Sequence, residues 1–281
     1  LLSSQRPIAS FHSGGKGKYG AAGRGSPCPH DGLSDGTLPI EAVPAAADAA
    51  DIDLVAVTDH DRIQPALDAP ITDHNGVTVI RGIELRVDTG CQRLDLLGYA
   101  VESTNELTVE LDRLQQNRIE RAKQIIDRVE DHVGVTLELD IQPGIGRPHI
   151  ARAIANSDAN YDFQGAFGEL IGDGCPCYIP REITPVARGI SLLTEACPVV
   201  SLAHPLRYDD PGAALDHAAE LEAVERYYPY DHAVDTDRID DAIDRHSLLA
   251  TGGSDAHGTT LGQAGPPPTA VKRFRRRLQK R

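Results

Sequence analysis

The chain has 281 residues, 40% of them hydrophobic, which is enough to bury a sizeable core as one barrel-sized domain with an insertion or as two smaller domains. Its formal charge of -14 is unevenly spread: residues 1–25 hold four Lys or Arg and no acid, residues 272–281 hold seven and no acid, and setting those eleven cations aside leaves -25 on residues 26–271. So acidic a middle repels nucleic acid and anionic membrane, which excludes a general nucleic-acid-coating protein and requires local cations to draw in any phosphate-bearing ligand.

In chain order, residues 1–27 read as a Gly-rich, basic N-terminal segment, expected to be disordered and without a signal-peptide core. Pro39 to Ala50 is an Ala-rich helix behind Thr37, a suitable N-cap, with Pro44 expected to disturb its interior. Ile52 to Val57 is a β-type run followed by Thr58-Asp59-His60-Asp61. Val77 to Ile80 leads into Arg81-Gly82-Ile83-Glu84, and Leu94 to Leu97 straddles Asp95 and closes with Gly98-Tyr99. Leu107, Leu111, Leu114, Ile125, Val129 and Val133 recur at helical spacing and mark a long amphipathic helix, with shorter helices near Pro148 to Asn156 and Phe163 to Ile171. Val199 to Ala203 ends at His204-Pro205, and Ser247 to Thr251 ends at Gly252-Gly253-Ser254-Asp255-Ala256-His257. Residues 28–100 and 197–265 thus read as one barrel of strands alternating with helices, residues 101–196 as a mainly helical insertion, and residues 266–281 as a basic tail that is solvated or touches RNA phosphates.

Alternating strands and helices imply parallel strands, whose C-terminal ends open into one rim of loops. His30, Asp35, His60, Glu84, Asp95, His204, Asp255 and His257 all fall near such ends, and a mixed set of imidazoles and carboxylates suits Mn, Fe or Zn. Eight candidates exceed one ion and fit a bridged pair or triplet, a cluster able to clamp a phosphoryl group. Each has a plainer reading: a lone His after a strand is more often a satisfied polar residue, Asp35 can cap the helix from Pro39, and Asp95 can be an exposed edge carboxylate. The five scattered cysteines argue for reduced thiols, and Cys175-x-Cys177 lacks the second pair of a zinc knuckle. Scarce Lys and Asp in excess of Glu point to a halophilic protein, and the lack of a membrane-spanning stretch to a soluble, cytoplasmic one with no membrane partner; nothing in the sequence indicates a protein partner.

At these residues the chain resembles the polymerase and histidinol phosphatase (PHP) family, in His30-Asp31-Gly32-Leu33-Ser34-Asp35-Gly36, Thr58-Asp59-His60-Asp61, Gly82-Ile83-Glu84, Leu96-Leu97-Gly98-Tyr99, Ala203-His204-Pro205 and Gly253-Ser254-Asp255-Ala256-His257-Gly258. The resemblance implies an α/β fold, a distorted (β/α)7 barrel of the PHP type, holding two or three divalent cations (Mn, Zn or Fe). Gly146-Arg147-Pro148-His149-Ile150-Ala151-Arg152 and Cys177-Tyr178-Ile179-Pro180-Arg181 resemble the branch with a helical insertion, which includes nucleoside 3',5'-bisphosphate phosphatases that also trim short RNA from its 5' end. Arg147 and His149 are then the substrate phosphate contacts, with capping of the next helix as the alternative.

Two departures stand out. Cys28-Pro29-His30 replaces the family's His-x-His, placing at Cys28 a thiolate ligand that suits Zn better than Mn, and Asp95 stands where the family commonly has His. The implied activity is hydrolysis of a phosphate ester of a small nucleotide or a short RNA 5' end by metal-bound hydroxide, with His257 or His204 also moving a proton. The rival readings are a catalytically impaired metal-binding scaffold and an amidohydrolase, the latter disfavoured because none of the five lysines occupies a strand end.

Overall fold

The computed structural model describes residues 8–11, 38–256 and 261–279. The chain forms two compact units, one of Leu1–Thr108 with Ile183–Arg281 and one of Val109–Glu182. Among the described residues the first unit carries a nine-stranded sheet of β1 (Ile8–Phe11), β2 (Leu54–Val57), β3 (Ile71–His74), β4 (Val77–Asp88), β5 (Arg93–Tyr99), β6 (Thr184–Pro185), β7 (Val199–Leu202), β8 (Ala223–Tyr227) and β9 (Leu249–Gly252). The helices are α1 (Val43–Ala49), α2 (Asn105–Val133), α3 (Arg147–Ala155), α4 (Phe163–Gly165, continued by a π-helical stretch Ala166–Ile171), α5 (Val186–Ala196), α6 (Pro211–Asp216), α7 (Asp237–His246) and α8 (Pro268–Leu278).

The sheet's main path runs β1-β2-β4-β5-β7-β8-β9, with β3 and β6 as side partners of β4. It curls until β1 and β9 approach, but no ladder among the described residues joins these two ends. The all-parallel reading needs correcting at β5, which is antiparallel to both β4 and β7. Residues 89–92 between β4 and β5 form a hairpin turn with Gly90 at φ +88°, far too short for the crossover a parallel join needs.

β4 is much longer than its first apolar run. Thr78–Arg81 pairs parallel with β2, and Gly82–Asp88 pairs antiparallel with β5. Gly82 sits where the partner changes, and a Cβ there would lie 2.9 Å from Gly98 O and 3.0 Å from Val57 O, so only glycine lets the three backbones meet. Glu84 consequently lies within a strand rather than just past its end, and Asp95 lies within β5.

Period-2 alternation divides the side chains of β2 between two cores. Leu54 and Ala56 join Ile80, Leu97, Tyr99, Ala223 and Phe274, whereas Val55 and Val57 join Val43 and Ala47 of α1. Pro44 does not break that helix, since a 3-10 turn (Ile40–Ala42) precedes it and Pro44 falls in the first turn of α1, where a missing N–H is harmless. Of residues 1–27, Ile8–Phe11 form β1, parallel to β2. Most of the stretch read as a basic tail is helix α8: Val271, Phe274 and Leu278 recur on one face and are buried, Phe274 meets the Tyr99 ring edge-on at 5.0 Å, and Arg275 donates to Thr78 Oγ1 and Asp53 O. Since Asp53 immediately precedes β2 and Thr78 lies near the start of β4, α8 covers the end of the sheet where these parallel strands begin and the antiparallel β5 ends.

The second unit packs the apolar face of α2 (Ala122, Ile125, Ile126, Val129) against Ile150, Ala151 and Ile154 of α3 and against Ala166, Leu170 and Cys177. Helix α5, which the sequence assigns to the insertion, packs on β4 and β5 of the first unit, with a Cβ at Gly189 falling 2.4 Å from Val87 Cγ1. Cys91, Cys175, Cys177 and Cys197 are thiols and form no disulfide. Among the described residues no helix is long and apolar enough to cross a membrane.

Candidate metal centre

Beyond β2 the chain continues alongside β4 through Thr58-Asp59-His60-Asp61. The Glu84 N–H donates to Asp59 O (3.1 Å) and the Asp61 N–H donates to Glu84 O (2.8 Å), so His60 and Glu84 form a parallel bridge. That bridge brings His60 Nδ1 to 3.9 Å from Glu84 Oε2. Asp61, His204 and Asp255 all have positive φ (+50°, +27° and +45°), a conformation that side-chain-bearing residues rarely adopt and that gathers at functional sites.

Three groups form the centre. Glu84, Asp95 and His204 are only 3%, 2% and 5% exposed. One donor atom from each lies within 4.8 Å of the others. His204 Nε2 is 3.4 Å from Glu84 Oε1 and 3.6 Å from Asp95 Oδ2. Burial works to lower the His204 pKa, but the hydrogen bond to Glu84 and the charges of Glu84, Asp95 and Glu225 outweigh it and raise it.

A surrounding layer holds these groups in place. The His204 N–H donates to Glu225 Oε2 at 2.8 Å, and burial pushes the Glu225 carboxyl up to about 8. The Asp95 N–H donates to Tyr208 Oη, whose own hydrogen goes to Ala203 O. Arg86 pairs with Asp95 through two 2.7 Å hydrogen bonds, Nε to Oδ1 and Nη2 to Oδ2, and that pairing holds the guanidinium pKa above its ordinary value. Tyr228 Oη donates to Asp255 Oδ2 (2.7 Å) and accepts from Arg207 Nη1 (2.8 Å). His60, Glu84, Arg86, Arg93, Asp95, His204, Arg207, Tyr208 and Asp255 line one cleft of about 360 Å³.

This donor set fits a divalent cation. Two buried carboxylates and one imidazole supply the mixed oxygen and nitrogen donors that suit such an ion, and Arg86 directly offsets the charge of Asp95. His204 Nδ1 is buried and has no hydrogen-bond partner among the described residues, so this imidazole is not simply a satisfied polar side chain. Asp95, with the edge-carboxylate alternative, is instead buried inside β5.

Of the metal candidates, His60, Glu84, Asp95, His204 and Asp255 share the cleft, while Cys28, His30, Asp35 and His257 lie outside the described residues. Arg147 and His149 belong to the second unit. There Arg147 Nη1 donates to Asp173 Oδ1 (2.6 Å) and its guanidinium lies over the Phe167 and Tyr178 rings, while His149 Nδ1 accepts the Gly146 N–H at the start of α3. Sequence reasoning missed Arg86, Arg207 and Glu225. Arg86 carried a usable signal, since two residues beyond Glu84 in a strand means the same face, whereas Glu225 follows only two apolar residues and gave none.

No family model matches the chain. It is 26% identical over 272 residues to a 3',5'-nucleoside bisphosphate phosphatase of Chromobacterium violaceum, covering 90% of this chain and 95% of the relative. It is 25% identical over 243 residues to a 5'-3' exoribonuclease of Escherichia coli, covering 81% and 83%. Among solved structures it resembles one named as a metal-dependent phosphoesterase from Bifidobacterium adolescentis, with a TM-score of 0.70 at 22% identity over 87% of this chain and 93% of the other, a likeness of fold.

Proposed function

We propose that this chain, a relative of nucleoside bisphosphate phosphatases and 5'-3' exoribonucleases, is a metal-dependent phosphoesterase that hydrolyses a phosphate ester of a small nucleotide, such as a nucleoside 3',5'-bisphosphate, or of a short RNA 5' end. The observation that carries this reading is the meeting of Glu84 of β4, Asp95 of β5 and His204 just beyond β7, two buried carboxylates and a buried imidazole with donor atoms within 4.8 Å. On the same reading the seven-strand path is a distorted (β/α)7 barrel of the PHP type, and two or three ions of Mn, Zn or Fe occupy its rim.

Glu84, Asp95 and His204, with His60 and Asp255 beside them, are the described residues that would hold the ions. Bound there, divalent cations supply positive charge to phosphoryl oxygens and acidify water towards neutral pH. The chain's own residues do the rest. Glu225 fixes the His204 backbone, and Tyr228 orients Asp255. Arg86, Arg93 and Arg207 place cationic groups around the cleft of an otherwise acidic protein, the local attraction that a phosphorylated substrate needs. His204 or His257 moves a proton to the leaving oxygen, and Arg147 and His149 are proposed as substrate phosphate contacts.

The test is phosphate release from a nucleoside 3',5'-bisphosphate by the purified chain supplied with Mn, expected in the wild type and lost in His60→Ala. Failure of the wild type with Mn, Zn and Fe alike would count decisively against the reading.

A further inference from the structure

Arg86 and Asp95 form a pair whose two members meet very different surroundings. Asp95 is sealed in the sheet, its side chain only 3% exposed, whereas that of Arg86 is 41% exposed and lines the cleft. Position 86 follows Glu84 by two residues along β4, so the strand's alternation delivers the guanidinium to the face that presents Glu84. Its backbone is held as well, since the Arg86 N–H donates to Asp61 Oδ1 at 3.1 Å.

The two bonds to Asp95 engage Nε and Nη2. An arginine has five N–H donors, so three remain, one on Nη2 and two on Nη1, and one from each nitrogen lies on the Nη1–Nη2 edge. An exposed guanidinium edge, locked in orientation by a carboxylate behind it, offers two parallel donors to a tetrahedral oxyanion and has lost its side-chain freedom before any ligand arrives. Asp95 keeps lone pairs beyond the two that Arg86 takes, and its Oδ2 still faces His204 Nε2 at 3.6 Å. The carboxylate can therefore serve an ion on one side and the guanidinium on the other.

We propose that Arg86 is a substrate-binding residue that grips the non-bridging oxygens of the phosphoryl group beside the metal centre, with Asp95 as its positioning residue. The ligand class is a phosphomonoester dianion. Arg207, steadied by Tyr228 and Asp255, lines the same cleft, so the anion meets guanidinium groups held in place from behind.

This inference rests on the phosphoesterase reading, and the two are tested separately. Turnover of a bisphosphate by the Mn-loaded wild type tests that reading, whereas binding of inorganic phosphate, measured calorimetrically on the full Mn-loaded chain with no substrate turned over, tests Arg86. Arg86→Met and Arg86→Lys are each expected to weaken phosphate binding at least about tenfold, because lysine keeps the charge but not the planar fork, with the Mn content per chain, measured after equilibrium dialysis, not reduced. Should Arg86→Met fail to fold with Asp95 left unpaired, Arg86→Lys decides alone. The proposal is overturned if the wild type binds no phosphate, if Arg86→Lys binds it as tightly as the wild type, or if Mn content falls in step with phosphate affinity.

Discussion

Glu225 supports the candidate metal centre without lining the cleft. Buried in β8, it accepts the His204 N–H at 2.8 Å and so secures a residue held at φ +27°. Its two removable features separate cleanly. Glu225→Gln keeps an oxygen acceptor and removes a buried carboxyl, so urea unfolding of the metal-free protein should report stability at or above that of the wild type. Glu225→Ala leaves a buried N–H unpaired, which costs about 1–3 kcal/mol, and lets His204 drift, lowering Mn-dependent turnover by about 10–100-fold as loss of orienting partners does at metal sites. Equal loss of turnover in both variants would mean that the carboxylate charge, not the hydrogen bond, is what His204 needs.

Strand β4 and helix α8 make the first unit's ends behave differently. β4 changes partners at Gly82, where a Cβ would lie 2.8–3.0 Å from Thr58 Cγ2, Gly98 O and Val57 O. Two of those atoms are backbone and cannot swing away, so Gly82→Ala should destabilise by about 1–3 kcal/mol and, by separating β2 from β4, lower Mn affinity at His60 and Glu84. At the far end Phe274 is fully buried against Tyr99. Phe274→Ala should cost about 3–5 kcal/mol while the Mn content of the folded fraction stays unchanged, a contrast read by paired unfolding and metal analysis. These two elements also mark what the sequence made legible. Apolar runs ending in ligand-type residues were enough to find β2, β5, β7, β9 and the start of β4, and with them three residues that line the cleft, His60, His204 and Asp255. Glu84 and Asp95 were recognisable by residue type, although Glu84 lies inside β4 because that strand outruns its first apolar run, and Asp95 is straddled by the apolar run of β5 itself. β8 escaped because Ala223 and Val224 are too short a run and Glu225 is buried where the pattern expects a solvated acid. In α8 the cations that line the helix concealed Val271, Phe274 and Leu278, three contacts that are obvious only once the sheet they cover is built.

Across the whole molecule, charge sets the terms on which these parts cohere. With 42 acids against 28 Lys and Arg, and -25 of formal charge on residues 26–271, the folded chain concentrates like charge that the unfolded chain can spread out. Exposed ion pairs such as Arg188 with Glu106 and Arg226 with Asp240 offset little of this, each being worth about 0–1 kcal/mol. Added salt weakens both effects, but the repulsion acts over the whole surface and the pairs only locally. Screening therefore favours the folded state. Raising KCl from about 0.1 M to about 1 M shortens the Debye length from about 10 Å to about 3 Å, and the melting temperature of the metal-free protein should rise by several degrees, at about 2–4 °C per kcal/mol for a chain somewhat smaller than this one. Phosphate binding should move the other way, because the guanidinium groups at the cleft act on the anion through the same screened field. A scan in which the melting temperature falls with KCl while phosphate affinity holds would show that the buried pairs, and not the net charge, govern the molecule's response to salt.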